Sequence, residues 1–157
     1  MDCLLVIDMQ EDYVGAGRNK KRYPYNAAEL IENVNKRICE YSPEAIVYVT
    51  NRFFWENTNT SKKLAETLSV HSGNIYEKRK ASCFSNKALL AYLESVKAER
   101  LELVGVDGNH CIAGSALDGV KKGFTILCNE SCVGTADTGR YKRIKEKLKK
   151  KNVQFIE

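Results

Sequence analysis

Hydrophobic and polar positions alternate along this chain between two rhythms. Cys3–Ile7, closed by Asp8, is an unbroken apolar run of strand length, as expected for a strand covered on both faces. Ala45–Thr50, Asn74–Glu77, Leu101–Val106, Phe124–Cys128 and Val153–Ile156 also read as strands. Between them, apolar residues recur at three- and four-residue spacing. Leu30, Val34 and Ile38 mark a helix within Asn26–Tyr41, followed by Pro43, and Leu89, Leu90, Leu93 and Val96 mark one within Asn86–Lys97. Further helices are predicted at Cys111–Lys122, ended by Gly123, and at Asp137–Lys150, with a short one at Thr60–Leu68. Gly15–Asn19 reads as a loop.

Strands that alternate with helices over short connections predict an α/β protein. The expected architecture is three-layer α/β/α, with a mostly parallel sheet of about six strands and right-handed crossovers. The 157 residues contain no repeat or low-complexity linker and only two prolines, so one domain over 1–157 is expected. In such folds ligands sit beyond the carboxyl ends of the strands. Asp8 ends the first strand, Lys78 follows the third and Cys111 follows the fourth. All three belong on one edge of the sheet.

Composition narrows the setting. Net charge is +5, with the excess concentrated in Tyr141–Asn152, where it reads as a solvated helix face. No aromatic or base-reading groups interleave with it, so no nucleic-acid partner is expected. No apolar run approaches the roughly 20 residues of a membrane span, and Met1–Asp8 reads as a strand rather than a signal peptide. The six cysteines are expected to be free thiols in a cytoplasmic protein. Cys128 and Cys132 lack companions for a metal site, and the first strand is not followed by a glycine-rich phosphate loop or an Asp-x-Asp, so no cofactor is expected.

The remaining chemistry centres on Cys111. A thiol at a helix start meets outward-pointing amides and a positive dipole end, both favouring the thiolate. Asp8 can take its proton and Lys78 can hold that carboxylate, a set sufficient for acyl transfer through a thioester. Only His71 and His110 are present, and His110, as the sequence neighbour of Cys111, does not face it.

Three motifs within residues 4–124 resemble the isochorismatase-like cysteine hydrolases, which include nicotinamidases and N-carbamoylsarcosine amidases. Leu4-Leu-Val-Ile-Asp-Met-Gln-Glu-Asp-Tyr13 is similar to the family's strand ending in Asp-x-Gln-x-Asp-Phe. Lys78-Arg-Lys-Ala-Ser-Cys-Phe84 is similar to Lys-x-x-x-Ser-Ala-Phe, and it favours Lys78 over Lys80 because only Lys78 stands four before Ser82. Gly105-Val-Asp-Gly-Asn-His-Cys111, with Ser115-Ala116 and Lys122-Gly123-Phe124, is similar to the nucleophile-bearing turn.

The resemblance implies Asp8 as general base, Lys78 as third member of a triad and Cys111 as nucleophile. It also implies a cis peptide at Val106–Asp107 and an oxyanion hole from the amides of Asp107 and Cys111. Tyr13 stands where the family has a phenylalanine beside the substrate. The implied activity is hydrolysis of a small-molecule amide or related C–N bond through a Cys111 thioester, with a non-catalytic or non-amidase isochorismatase-like protein that binds a small metabolite or protein partner as the alternative. A homo-oligomer, dimer or tetramer, is expected. The chain is short for the family, so a lid would be missing or donated by a neighbouring subunit. Nicotinamidases carry a metal-binding Asp-x-His after the second strand; here Val49-Thr-Asn-Arg-Phe-Phe-Trp55 lacks it, and no metal is expected. Arg52, Phe53 and Trp55 are candidates for the substrate wall, or equally for surface or subunit packing.

Overall fold

In a computed structural model describing residues 1–157, six strands form one sheet: β1 (Asp2–Ile7), β2 (Ile46–Asn51), β3 (Ile75–Lys78), β4 (Arg100–Val106), β5 (Thr125–Gly134) and β6 (Gln154–Ile156). Their order is β3-β2-β1-β4-β5-β6, and every neighbouring pair is parallel. The chain reverses its direction of travel across the sheet between β1 and β4. Five helices accompany the sheet: α1 (Glu11–Val14), α2 (Ala27–Ile38), α3 (Lys87–Ser95), α4 (Ala113–Lys121) and α5 (Thr138–Lys150).

The period-two alternation of each strand sends its side chains into two separate cores. Cys3, Leu5, Ile7, Val47, Val49 and Leu103 pack on one face with Leu89 and Leu93 of α3, Ala116 of α4 and Leu148 of α5. Leu4, Val6, Tyr48 and Val104 pack on the other with Leu30, Val34 and Ile38 of α2. Each fully buried aliphatic side chain contributes roughly 1.5–3 kcal/mol. This is why the central strands carry almost no polar residue until their carboxyl ends. Helix starts are fixed by side-chain caps: Asn26 accepts from the Glu29 amide, Asn86 from Ala88 and Leu89, and Asp137 from Arg140.

Two expectations need correction. Thr60–Leu68 is not a helix. Its backbone is committed elsewhere: Lys63 O accepts from Glu11 N, Ala65 N donates to Met9 O, and Leu64 bridges Gln10. Ala65 and Leu68 are buried by that attachment, so their apolar spacing marks an anchored loop. The strand expected at Phe124–Cys128 runs on to Gly134. A register shift opposite Leu103 and Gly105 lets Val133 and Gly134 pair with Gly105 and Val106.

Candidate active site

The polar residues that end the central strands converge on one point. Asp8 follows β1 with a positive φ of 55°, a conformation that aspartate tolerates better than most residues. Gly105 lies beside it on β4 at φ 121°, where a Cβ would stand 1.9 Å from the Ile7 carbonyl oxygen, so only glycine permits this approach of β4 to β1. Asn51 and Lys78 end β2 and β3 as register partners. From this edge strand the long Lys78 side chain reaches over Asn51 to the sheet centre. Its Nζ donates to Asp8 Oδ2 at 3.1 Å, to Asn51 Oδ1 at 3.0 Å and to Cys111 Sγ at 3.2 Å. All three ammonium hydrogens are thereby used. Lys78 and Asp8 are each 1 % exposed.

Cys111 lies inside a wide π turn, Gly108–Ile112, that precedes α4. Asp107 caps this turn: one carboxylate oxygen accepts from Asn109 N at 2.8 Å, the other from Ala136 N at 3.1 Å. The Val106–Asp107 peptide is cis. Two bonds tie the loop after Lys78 to α4: Ser115 Oγ accepts from Cys83 N, and Ser82 Oγ donates to Asp118. The second and third sequence motifs are therefore fastened together, which fixes Lys78 relative to Cys111.

The electrostatics run against a preformed thiolate. Burial pushes the Cys111 thiol up to about 12, and the adjacent Asp8 charge adds to this against the pull of Lys78. The amides expected at a helix start are outweighed, and the resting site holds a neutral thiol beside an ion pair. Burial also raises Asp8 above the usual carboxylate range, although Lys78 pulls it down. Burial lowers Lys78, but the charges of Asp8 and Cys111 prevail and keep it above its ordinary value. Asp8 Oδ1 is buried with no hydrogen-bond partner. A carboxylate of raised proton affinity, with one oxygen free, is a competent acceptor for the thiol hydrogen.

A cavity of about 400 Å³ opens over this cluster, lined by Asp8, Cys111, Tyr13, Tyr23, Tyr25 and Phe53 among others. Tyr13 receives a hydrogen bond from Asn51 Nδ2 at 3.1 Å. Arg52 is not part of the wall. It is buried, paired with Glu77 and bonded to the carbonyls of Asn57 and Thr60, so it organises the loop behind the wall. Trp55 does not line the cavity either; it is 64 % exposed and stacks on Phe53 with centroids 4.5 Å apart.

Gln10 and Asn51 were missed in the sequence. Gln10 brackets the Asn51 backbone, accepting from its N and donating to its O. A polar residue at the carboxyl end of an apolar strand was the available signal. Arg22, Tyr23, Tyr25, Arg79 and Lys80, all cavity residues, also went unremarked as such. A metal does not fit here. No three His, Cys, Asp or Glu side chains are grouped to hold one, and Asn51 and Arg52 are committed to Lys78 and Glu77. All six cysteines are unpaired, and no helix is long and apolar enough to cross a membrane.

The family model described as isochorismatase domain matches residues 2–157. No curated protein matches by sequence. Among solved structures, PnC1 from L. infantum in complex with nicotinate superposes with a TM-score of 0.86 at 19% identity, covering 100% of this chain and 92% of that one. Pyrazinamidase of Pyrococcus horikoshii in complex with zinc gives 0.73 at 21%, covering 99% and 98%. N-carbamoylsarcosine amidase from Thermoplasma acidophilum gives 0.77 at 17%, covering 99% and 95%. Beside these structures the chain is not markedly short.

Proposed function

This chain belongs to the isochorismatase family, and from that premise we propose that it is a cysteine hydrolase of small-molecule amides or related C–N bonds. The observation that carries the reading is the contact of Asp8, Lys78 and Cys111 with Asp8 Oδ1 left unpartnered. Sγ attacks the substrate carbonyl carbon as its proton passes to Asp8, and the carbonyl electron pair moves to oxygen. The amides of Asp107 and Cys111 are the proposed donors to that oxyanion. Collapse breaks the C–N bond, and Asp8 returns the proton to the departing nitrogen. The product at this stage is a thioester on Cys111. Water then attacks, gives its proton to Asp8, and the second collapse releases the acid and restores the thiol. Lys78 remains cationic throughout; it keeps Asp8 ionised at rest and orients Sγ.

Tyr13 and Phe53 serve as substrate wall in this reading. Superposition on structures named for amide hydrolysis supports it. We further propose that the protein is a cytoplasmic homo-oligomer, dimer or tetramer. Six unpaired thiols support the first, and the exposed rings of Phe54 and Trp55 the second. The test is intact-mass spectrometry during turnover of a panel of primary amides and ureido compounds. A mass increment on Cys111, absent from Cys111→Ala together with all turnover, is expected. Turnover by Cys111→Ala would overturn the reading.

A further inference from the structure

The cavity walls carry more positive charge than the protein neutralises. Arg22 comes from the loop between α1 and α2, and Arg79 and Lys80 from the loop after β3. None of the three takes part in an ion pair; the ion pairs of the molecule lie elsewhere. The Arg22 guanidinium lies 5.7 Å from the centroid of Tyr23, another wall residue, so the charge stands beside the aromatic lining. The two carboxylates of the cavity are already engaged: Asp8 by Lys78, Asp107 by the amides of Asn109 and Ala136. Lys78 has no hydrogen left for a ligand, because Asp8, Asn51 and Cys111 take all three. The cationic side chains left free to meet a ligand anion are therefore Arg22, Arg79 and Lys80.

We infer that the cavity takes an amide whose other end carries a carboxylate, received by Arg22, Arg79 and Lys80. The inference deepens the hydrolase reading and rests on it for the scissile amide. Guanidinium groups match carboxylates through paired N–H donors. Arg22, Arg79 and Lys80 are all exposed, and like-signed charge around a cleft raises the local concentration of ligands of opposite sign. A cavity of about 400 Å³ admits a small molecule. Tyr13, Tyr23, Tyr25 and Phe53 leave room for a flat or apolar body between its two ends.

The charge preference is testable without turnover. Iodoacetate and iodoacetamide differ in carrying a carboxylate or a neutral amide, and both alkylate thiols with loss of iodide. Their rates at Cys111 are followed by peptide mass spectrometry and divided by the same ratio at Cys39, the exposed cysteine. In low salt the normalised preference for iodoacetate is expected to be about tenfold or more. It should fall toward one in the triple variant Arg22→Gln, Arg79→Gln, Lys80→Gln, and in 1 M salt. No preference in the unaltered protein, or one that survives the triple variant, overturns the inference.

A second arm compares kcat/KM for 4-carbamoylbenzoate and benzamide. An advantage of about tenfold for the carboxylate, lost through KM in the triple variant, is expected. Equal turnover of the two amides overturns the inference and leaves the hydrolase reading standing. Absence of all amide turnover defeats the hydrolase reading, while the alkylation ratio still decides the charge preference.

Discussion

Two carboxylates are buried at opposite ends of the central strands, and they are provided for very differently. Glu102, in the first half of β4 opposite Leu4, is 4 % exposed. It accepts from Arg37 Nε and Nη2, from the Tyr41 hydroxyl and from Asn129 Nδ2. Asp8, just past the end of β1, is buried more deeply, yet Lys78 bonds only its Oδ2, beside the Cys111 thiol, and Oδ1 has no partner. A buried carboxylate with every acceptor position filled holds a fold together. One left short of donors has capacity reserved for a proton. The comparison separates charge that stabilises from charge that reacts, and substitutions should separate them in the same way.

The largest effect is expected from Asp8→Asn. It removes the proton acceptor and should lower kcat/KM by about 10³–10⁴ in steady-state assays, with the circular dichroism spectrum of the folded protein retained. Glu102→Ala should do the reverse. Stripping a carboxylate from Arg37 should cost about 3–5 kcal/mol in urea unfolding, while kcat/KM of the folded fraction stays within about twofold.

Lys78→Met tests the Asp8 side of the contrast by stability. It leaves Asp8 buried without its cation and should cost a similar 3–5 kcal/mol at neutral pH. Burial already raises Asp8 above the carboxylate range, and loss of Lys78 raises it further. The folded form then binds the proton more tightly than the unfolded chain. Its stability should therefore fall as pH rises from the free carboxylate range to the folded value, and recover on acidification. The double variant Asp8→Asn/Lys78→Met should be more stable at neutral pH than Lys78→Met alone. Equal stability of the two would mean that Asp8 is not the uncompensated charge.

The smallest effect concerns the pH profile. Asp8 must be ionised to accept the proton, and its value is raised. The acid limb of kcat/KM should lie above the range of a free carboxylate, with activity rising as pH rises through it. Glu102→Gln should leave that limb where it is.

Much of this arrangement is legible in the sequence, for identifiable reasons. Apolar runs such as Leu4–Ile7 and Ile46–Val49 have few alternatives to a buried strand, and Asn26, Asn86 and Asp137 announce their helices through capping chemistry. Asp8, Lys78 and Cys111 share an edge because each stands at the carboxyl end of a parallel strand or in the turn after it. Partnerships across loops are not written into local pattern. Leu64, Ala65 and Leu68 have the spacing of a helix, but Met9 and Glu11 claim their backbone. Arg52 looks like a cavity residue until Glu77 and two carbonyls occupy it. The thiol at a helix start suggested a thiolate, because burial and the nearness of Asp8 are tertiary facts.

The central claim is that Asp8, short of donors, takes the proton of Cys111. Its most direct test is the rate of Cys111 acylation, followed by rapid-quench intact-mass spectrometry with a substrate amide. The comparison is between the unaltered protein, Asp8→Asn and Glu102→Gln. Acylation about 10³-fold slower in Asp8→Asn and unchanged in Glu102→Gln is the expected result. Acylation of Asp8→Asn at the rate of the unaltered protein would contradict the account.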